Sequence, residues 1–184
     1  MKVPHDGAGG NYPGTIKVIG IGQSMRGDDA AGLAAVRLWN ETYMPITDRP
    51  GVQVELAELP GIGLLDLLEG AWVAILVDAV SSDAAPGTIH VLHEAQLEAF
   101  SKSASSAHGW GVAETLSLGR KLGIHTLPEI LVLIGIEAGN LEVGTGLSQE
   151  VASILPAAAQ IIEQRVSTFL TAQPHSTSPR ISPR

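Results

Sequence analysis

The sequence predicts a three-layer α/β fold, in which a mostly parallel, twisted β-sheet carries helices on both faces. Short runs rich in Ile and Val alternate along the chain with longer segments whose apolar residues recur at helical spacing. Two of the short runs, 72–77 (WVAILV) and 129–134 (EILVLI), are almost continuously apolar. Continuous runs of this kind are typical of parallel strands that are buried on both faces.

The first part of the chain contains three predicted strands and two predicted helices. Residues 15–21 (TIKVIGI) are short and β-branched, which predicts the first strand, and 30–41 has the apolar spacing of a helix. Residues 52–56 (VQVEL) alternate between apolar and polar, as in a half-buried or edge strand, and 63–69 predicts a short helix. The apolar run 72–77 then predicts a central strand.

The second part begins with turn residues, Pro86 and Gly87, followed by an alternating strand at 88–92 (TIHVL). Residues 111–122 have a helical pattern, and Gly123 suits the C-cap of that helix.

A buried strand at 129–134 precedes the last predicted helix, 148–170. Ser148 is its predicted N-cap. Pro156 is expected to kink this helix or to divide it in two, because proline lacks the backbone N–H. The domain organisation predicted from these patterns is a flexible N-terminal segment at 1–14, a single α/β domain at 15–171, and a disordered C-terminal tail at 172–184.

Composition excludes several classes of function. The chain of 184 residues has 11 basic and 19 acidic residues, a net charge of −8, and no basic cluster, so no nucleic-acid partner is expected. The chain has 0 cysteines, which excludes disulfides, thiolate catalysis and cysteine-based metal sites. No apolar run approaches the ~20 residues of a spanning helix, and the N-terminus lacks an apolar signal region. We therefore expect a cytoplasmic protein without a membrane partner, and a monomer.

Titratable residues follow the predicted strands at the edge where ligands bind in parallel sheets. Asp28 and Asp29 follow the first strand, Asp78 follows the strand 72–77, and His108 lies in the connection after the strand 88–92. Neighbouring carboxylates repel each other unless a cation or a proton lies between them. Two aspartates and a histidine form an O/N ligand set that suits zinc, nickel, manganese or iron.

Each of these residues also has a purely structural explanation. Asp28 or Asp29 can cap the following helix, Asp78 can be a turn residue that ends its strand, and His108 can be a solvated loop residue. A nucleotide-binding loop is disfavoured, because Met25 occupies the place of the third glycine and two acids would repel phosphate.

Four blocks, in order and at similar spacing, carry a resemblance to the hydrogenase maturation endopeptidases over roughly residues 15 to 170. They are 19–32 (IGIGQSMRGDDAAG), 75–80 (ILVDAV) with 86–88 (PGT), 106–109 (SAHG) with 114–116, and 133–137 (LIGIE) with the two ends of 147–156 (LS…LP). The resemblance implies an α/β peptidase that removes the C-terminal extension of a nickel–iron hydrogenase large-subunit precursor after nickel insertion. The precursor is then the partner, and nickel enters with the substrate, held by the substrate's own cysteines.

The family's metal-contacting and catalytic residues fall on Asp29, Asp78 and His108. Other divalent metals could occupy such a site in vitro. Asp28, Glu58 and Gln23 are auxiliary candidates. Gln23 stands where the family usually has Asn, and Glu58 begins a stretch that replaces an Asp-Gly-Gly-Thr-like segment. Either the metal activates the peptide bond or water, or a carboxylate acts as general base.

Two other functions remain open at this point. A metallochaperone would bind nickel with the same residues but release no peptide. A nucleotide- or nucleoside-handling α/β enzyme would bind phosphate at the first loop, which Asp28 and Asp29 disfavour.

Overall fold

The structure is a computed structural model that describes residues 14–43, 48, 50–101, 105–106, 112–124 and 126–172. The strands are β1 Ile16–Gly22, β2 Val52–Glu58, β3 Val73–Ser81, β4 Ile89–His93, β5 Ser105–Ser106 and β6 Ile130–Glu137. They form one sheet in the order β2-β1-β3-β6-β4, with β5 paired to β3 outside this path. Strands β2, β1, β3 and β6 are parallel, and β4 runs antiparallel to β6 at one edge.

Helices cover both faces of the sheet. They are α1 Ala31–Thr42, α2 Leu64–Leu68, α3 Glu94–Ser101, α4 Val112–Lys121 and α5 Gln149–Ala172. Trp39 of α1 and Ile162 of α5 belong to the core on one face, whereas Leu64, Leu97 and Leu116 bring α2, α3 and α4 into the core on the other. The predicted three-layer α/β class is confirmed. Among the described helices, none combines the length and apolarity that crossing a bilayer requires.

Helix α1 approaches the sheet closely at Gly32. A Cβ atom at Gly32 would lie 2.2 Å from the Val77 carbonyl oxygen and 2.3 Å from that of Ile21. Only glycine fits there, so the start of α1 is held against the carboxyl ends of β1 and β3. These two neighbouring strands mark a topological switch point, because the chain leaves β1 toward β2 on one side and later returns to β3 on the other.

Strand β3 continues four residues beyond its predicted end at Val77. The parallel partner β6 also extends further than predicted, and it pairs Asp78 with Gly135 and Val80 with Glu137. Asp78 therefore lies within a strand, and its interpretation as a turn residue was wrong. The cause is tertiary, since the backbone beyond Val77 stays extended where β6 supplies hydrogen-bond partners.

The helix-terminal predictions have mixed outcomes. Ser148 is confirmed as the N-cap of α5, because its Oγ accepts the Val151 N–H at 3.3 Å. Gly123 is confirmed as the end of α4, with φ +68° and its N–H bonded to the Arg120 carbonyl at 3.1 Å. Of the two alternatives predicted at Pro156, a division of the last helix was wrong, since α5 runs through Pro156 as one element, and a kink stays a prediction.

Helix α3 was not predicted. The segments predicted to be flexible or disordered, 1–14 and 172–184, fall outside the described residues except for Gly14 and Ala172. The domain boundaries therefore stay a prediction.

Candidate active site

Asp29 lies at the switch point, on a 3₁₀ turn (Gly27–Ala30) between β1 and α1. Its side chain is fully buried. The Asp29 N–H donates to the Arg26 carbonyl at 3.1 Å, and the Asp29 carbonyl accepts the Gln23 N–H at 3.3 Å. A Cβ atom at Gly22 would lie only 2.1 Å from the Asp29 carbonyl oxygen. The turn is therefore packed directly onto the end of β1, which fixes the backbone that carries Asp29.

Asp78 is buried on the sheet face that it shares with Leu76 and is only 2% exposed. Its Oδ1 accepts the Ala79 N–H at 2.9 Å. Burial, as the larger cause, and the charge of Asp29 together raise the pKa of Asp78 to about 7. The hydrogen bond from the Ala79 N–H acts in the opposite direction. The repulsion between Asp29 and Asp78 means that two carboxyl groups from distant parts of the chain meet at one edge of the sheet.

Such a pair has defined chemical properties. Without a cation, burial and the charge of Asp29 favour the protonated form of Asp78 over a second negative charge. A divalent cation would remove the repulsion and displace that proton. A carboxyl group with a pKa of about 7 can also accept a proton at neutral pH, as a general base must.

The third predicted residue, His108, lies outside the described residues. The backbone of β5 is described, however, and pairs antiparallel with the end of β3, with Ser106 opposite Val80 and Ser105 opposite Ser81. Because β5 is antiparallel to β3, the step from Ser105 to Ser106 runs along β3 in the direction of Asp78.

Asp28 does not point into the Asp29–Asp78 pair. Its Oδ2 accepts the N–H groups of Gly139 and Asn140, both at 2.8 Å, and its Oδ1 accepts the Ser148 N–H at 2.6 Å. Burial opposes ionisation, but these bonds outweigh it and lower the pKa of Asp28. Asp28 does not cap its own helix, as one interpretation of the sequence had it. It ties the turn before α1 to the loop before α5.

The other two auxiliary candidates lie at the same edge. Glu58 is the last residue of β2, is exposed, and accepts a hydrogen bond from the Ser24 hydroxyl. Gln23 is half-buried next to the Asp29 backbone, to which it donates its own N–H. Glu58 therefore joins the end of β2 to the loop after β1, on the outer side of Asp29.

Glu137 is a buried acid at this edge that the strand predictions missed. It accepts hydrogen bonds from the Ser82 N–H, from the Ser82 hydroxyl at 2.8 Å and from His90 Nε2 at 3.1 Å. Its register opposite Val80 places it on the same face as Asp78. The available signal was an acid at the end of an apolar run, the same signal that singled out Asp78. It was overlooked because the strand was predicted to end at Ile134.

The described part of the chain contains no group of three or more His, Asp or Glu residues able to hold a metal ion by themselves. The donor chemistry of Asp29 and Asp78 fits a divalent cation that brings further ligands with it, because two buried carboxylates supply negative charge and oxygen donors.

Comparison with known proteins shows which family has this sequence and architecture. The family model HycI, described as hydrogenase maturation protease, matches residues 57–165. The hydrogenase 2 maturation protease of Escherichia coli K12 is 32% identical over 149 residues, which are 80% of this chain and 88% of that protein. The hydrogenase expression/formation protein HupM of Azotobacter chroococcum is 32% identical over 128 residues, 69% of this chain, and the match spans only 59% of its length.

Solved structures give the same result. The hydrogenase maturating endopeptidase HybD from E. coli superposes with a TM-score of 0.69 at 26% identity, covering 89% of this chain and 99% of that one. The [NiFe] hydrogenase maturation protease HybD from Thermococcus kodakarensis gives a TM-score of 0.64 at 25% identity, covering 82% and 98%. The chain therefore belongs to the hydrogenase maturation proteases, a family of peptide-bond hydrolases, as its sequence blocks predicted.

Proposed function

We propose that this chain is an endopeptidase that removes the C-terminal extension of a nickel–iron hydrogenase large-subunit precursor after nickel insertion. The observation that carries the proposal is the buried pair of Asp29 and Asp78 at the switch point of the sheet. Family membership supports the reaction class, and the pair supplies a place where a cation on the client can be sensed.

In this proposal the client's nickel is the recognition element. The client holds the metal with its own cysteines, and this chain, which has 0 cysteines, adds Asp29, Asp78 and His108 as O/N contacts. Binding of the cation would relieve the repulsion between the carboxylates and release the proton of Asp78. A precursor without metal would leave the repulsion in place, so it would bind weakly. The step from Ser105 to Ser106, which runs along β3 in the direction of Asp78, supports His108 as the third contact.

Two routes to hydrolysis fit this arrangement. The metal can polarise the scissile carbonyl or a water molecule, or a carboxylate can accept the proton of the attacking water. Among the carboxylates, Asp78 suits the base best, because its pKa is raised to about 7. Asp28 is engaged by three backbone N–H groups and is not available for this role.

The decisive experiment is processing of a nickel-loaded large-subunit precursor, followed by mass spectrometry of the precursor and of the released peptide. We expect Asp29→Asn, Asp78→Asn and His108→Ala each to abolish release of the peptide. The control is Glu129→Gln, which should leave release unchanged, because Glu129 is exposed and precedes β6, at the opposite end of the strands from Asp29 and Asp78. Full activity of the three site variants would contradict the proposed site. Nickel binding without peptide release by the wild-type protein would identify a metallochaperone instead.

Three further expectations belong to this proposal. Other divalent metals should bind the isolated protein in vitro, and calorimetric titration with zinc and manganese should detect binding that Asp78→Asn abolishes. We also propose that the protein is monomeric and acts in the cytoplasm. Light scattering and cell fractionation test these two points.

A further inference from the structure

Large apolar side chains are exposed mainly at one edge of the molecule. Of the six such residues in the described part of the chain, four follow the carboxyl ends of strands: Met25 is 65% exposed, Leu59 50%, Ile62 60% and Val143 76%. Met25 follows β1, Leu59 and Ile62 follow β2, and Val143 follows β6. We call these four residues the apolar rim. They lie at the sheet edge that holds Asp29 and Asp78.

The loops that carry the apolar rim are joined to one another. The Leu59 N–H donates to the Gly22 carbonyl at 3.3 Å, which links the end of β2 to the loop after β1. The Gly144 N–H donates to the Met25 carbonyl at 2.7 Å, which links that same loop to the segment before α5. The loops that carry the four side chains are therefore neighbours at the carboxyl ends of the strands. Apolar residues grouped in this way mark interaction sites more often than residues scattered singly.

The backbone at Leu59 has an unusual conformation. Leu59 is the only described non-glycine residue with positive φ, at +49°. For a residue with a Cβ atom this left-handed conformation costs roughly 1–2 kcal/mol, and such outliers concentrate at functional sites. Leu59 is nevertheless half exposed, so burial of its side chain does not compensate for this cost.

We propose that the apolar rim binds an apolar peptide segment of the client protein, next to the metal-bearing part of the same client. This inference rests on the proposed function and adds to it the surface that holds the client chain. Charge complementarity indicates which molecule binds the apolar rim. Because the rim adjoins two buried carboxyl groups, its partner should carry both an apolar segment and a cation, as the metal-bearing client does. A second copy of this chain carries a net charge of −8, so its overall charge disfavours binding beside two buried carboxyl groups.

The test is steady-state processing of nickel-loaded precursor by the double variant Met25→Ser/Ile62→Ser and by Val143→Ser. We expect KM to rise about tenfold for the double variant and about threefold for Val143→Ser, with kcat within about twofold of wild type. The matched control is Leu122→Ser, because Leu122 is 64% exposed but follows α4, which leads back to the opposite edge of the sheet. This control should leave KM unchanged.

Three outcomes would overturn the inference: unchanged KM in both rim variants, an equal rise of KM in Leu122→Ser, or a wild-type dimer that the rim variants dissociate in light scattering. Direct binding of the precursor, measured by biolayer interferometry, separates this inference from the proposed function. If the wild-type protein releases no peptide, the proposed function fails. The rim is still tested, because its variants must then weaken precursor binding while Leu122→Ser does not.

Discussion

Asp28 and Asp78 are both buried acids at the same edge of the sheet, yet their surroundings shift their pKa values in opposite directions. Asp28 accepts three backbone N–H groups, which outweigh its burial and lower its pKa. Asp78 accepts the Ala79 N–H, and burial together with the charge of Asp29 raises its pKa to about 7. Three fixed backbone donors thus make Asp28 a charged structural anchor, whereas burial and a neighbouring charge make Asp78 a carboxyl group able to exchange a proton near neutrality.

The two residues also differ in what they connect. Asp28 joins the turn after β1 to the segment 139–148, and a Cβ atom at Gly139 would lie 3.5 Å from its Oδ2. Asp78 lies within β3, and the charge that raises its pKa is that of Asp29. We therefore expect substitutions of Asp28 to affect mainly stability, and substitutions of Asp78 to affect mainly activity.

The largest expected effect is on processing by Asp78→Asn. Removing the proposed proton acceptor and cation contact should lower kcat/KM for nickel-loaded precursor by about 100-fold or more. Stability at pH 8 should be equal to or higher than that of wild type, because the variant removes one of two repelling buried charges. Precursor cleavage assays and urea unfolding measure the two quantities. A stable variant with normal processing would remove Asp78 from the reaction.

The next effect is on stability by Asp28→Ala. The variant leaves the N–H groups of Gly139, Asn140 and Ser148 without their carboxylate acceptor, so the free energy of unfolding should fall by about 3 kcal/mol. Asp28→Asn keeps one acceptor oxygen and should lose about half as much. Chemical denaturation at pH 7.5 provides the measurement. If Asp28→Ala were as stable as wild type, the anchoring role of this side chain would be excluded.

The dependence of stability on pH gives a third comparison. Asp78 has a folded pKa of about 7, above the ordinary value of 3.8. The contribution of Asp78 to the free energy of unfolding is therefore full below about pH 4. It is lost as pH rises toward 7, by at most about 1.4 kcal/mol per pH unit. Asp28, with a lowered folded pKa, stabilises the fold above its ordinary pKa of 3.8 and loses this contribution as pH falls below that value.

Urea unfolding of wild type, Asp78→Asn and Asp28→Asn between pH 5 and 8 distinguishes the two acids. The stability of Asp78→Asn relative to wild type should increase across this range, while that of Asp28→Asn relative to wild type should stay nearly constant. Parallel curves for wild type and Asp78→Asn would contradict the raised pKa.

The smallest effect is expected where a carboxylate is exposed. Arg120 donates to both carboxylate oxygens of Glu94, at 2.9 and 2.8 Å, and also to the Pro128 carbonyl at 3.0 Å. The pair is solvent-accessible, so Arg120→Ala should cost only about 0.5–1 kcal/mol and leave processing unchanged. Thermal unfolding and the cleavage assay test both points. A loss of stability as large as that expected for Asp28→Ala would show that burial does not explain why the two acids differ in their effect on stability.

Local patterns were sufficient to predict most of the fold. Continuous apolar runs predicted β3 and β6, since only a strand covered on both faces needs apolar residues at every position. Asp29 and Asp78 were selected because the carboxyl ends of parallel strands meet at one edge. Helix α3 was missed, because only Leu97 of its eight residues is fully buried and the apolar period is correspondingly weak.

What the sequence by itself determined is the α/β class, the approximate position of most elements, and the family to which the chain belongs. Tertiary structure alone decided the chemical state of each acid. The donors to Asp28 come from residues more than 100 positions later in the chain, and Asp78 is within a strand because β6 pairs with it. Periodicity records which face of an element is buried, whereas a carboxyl group's pKa depends on the atoms that distant segments bring to it.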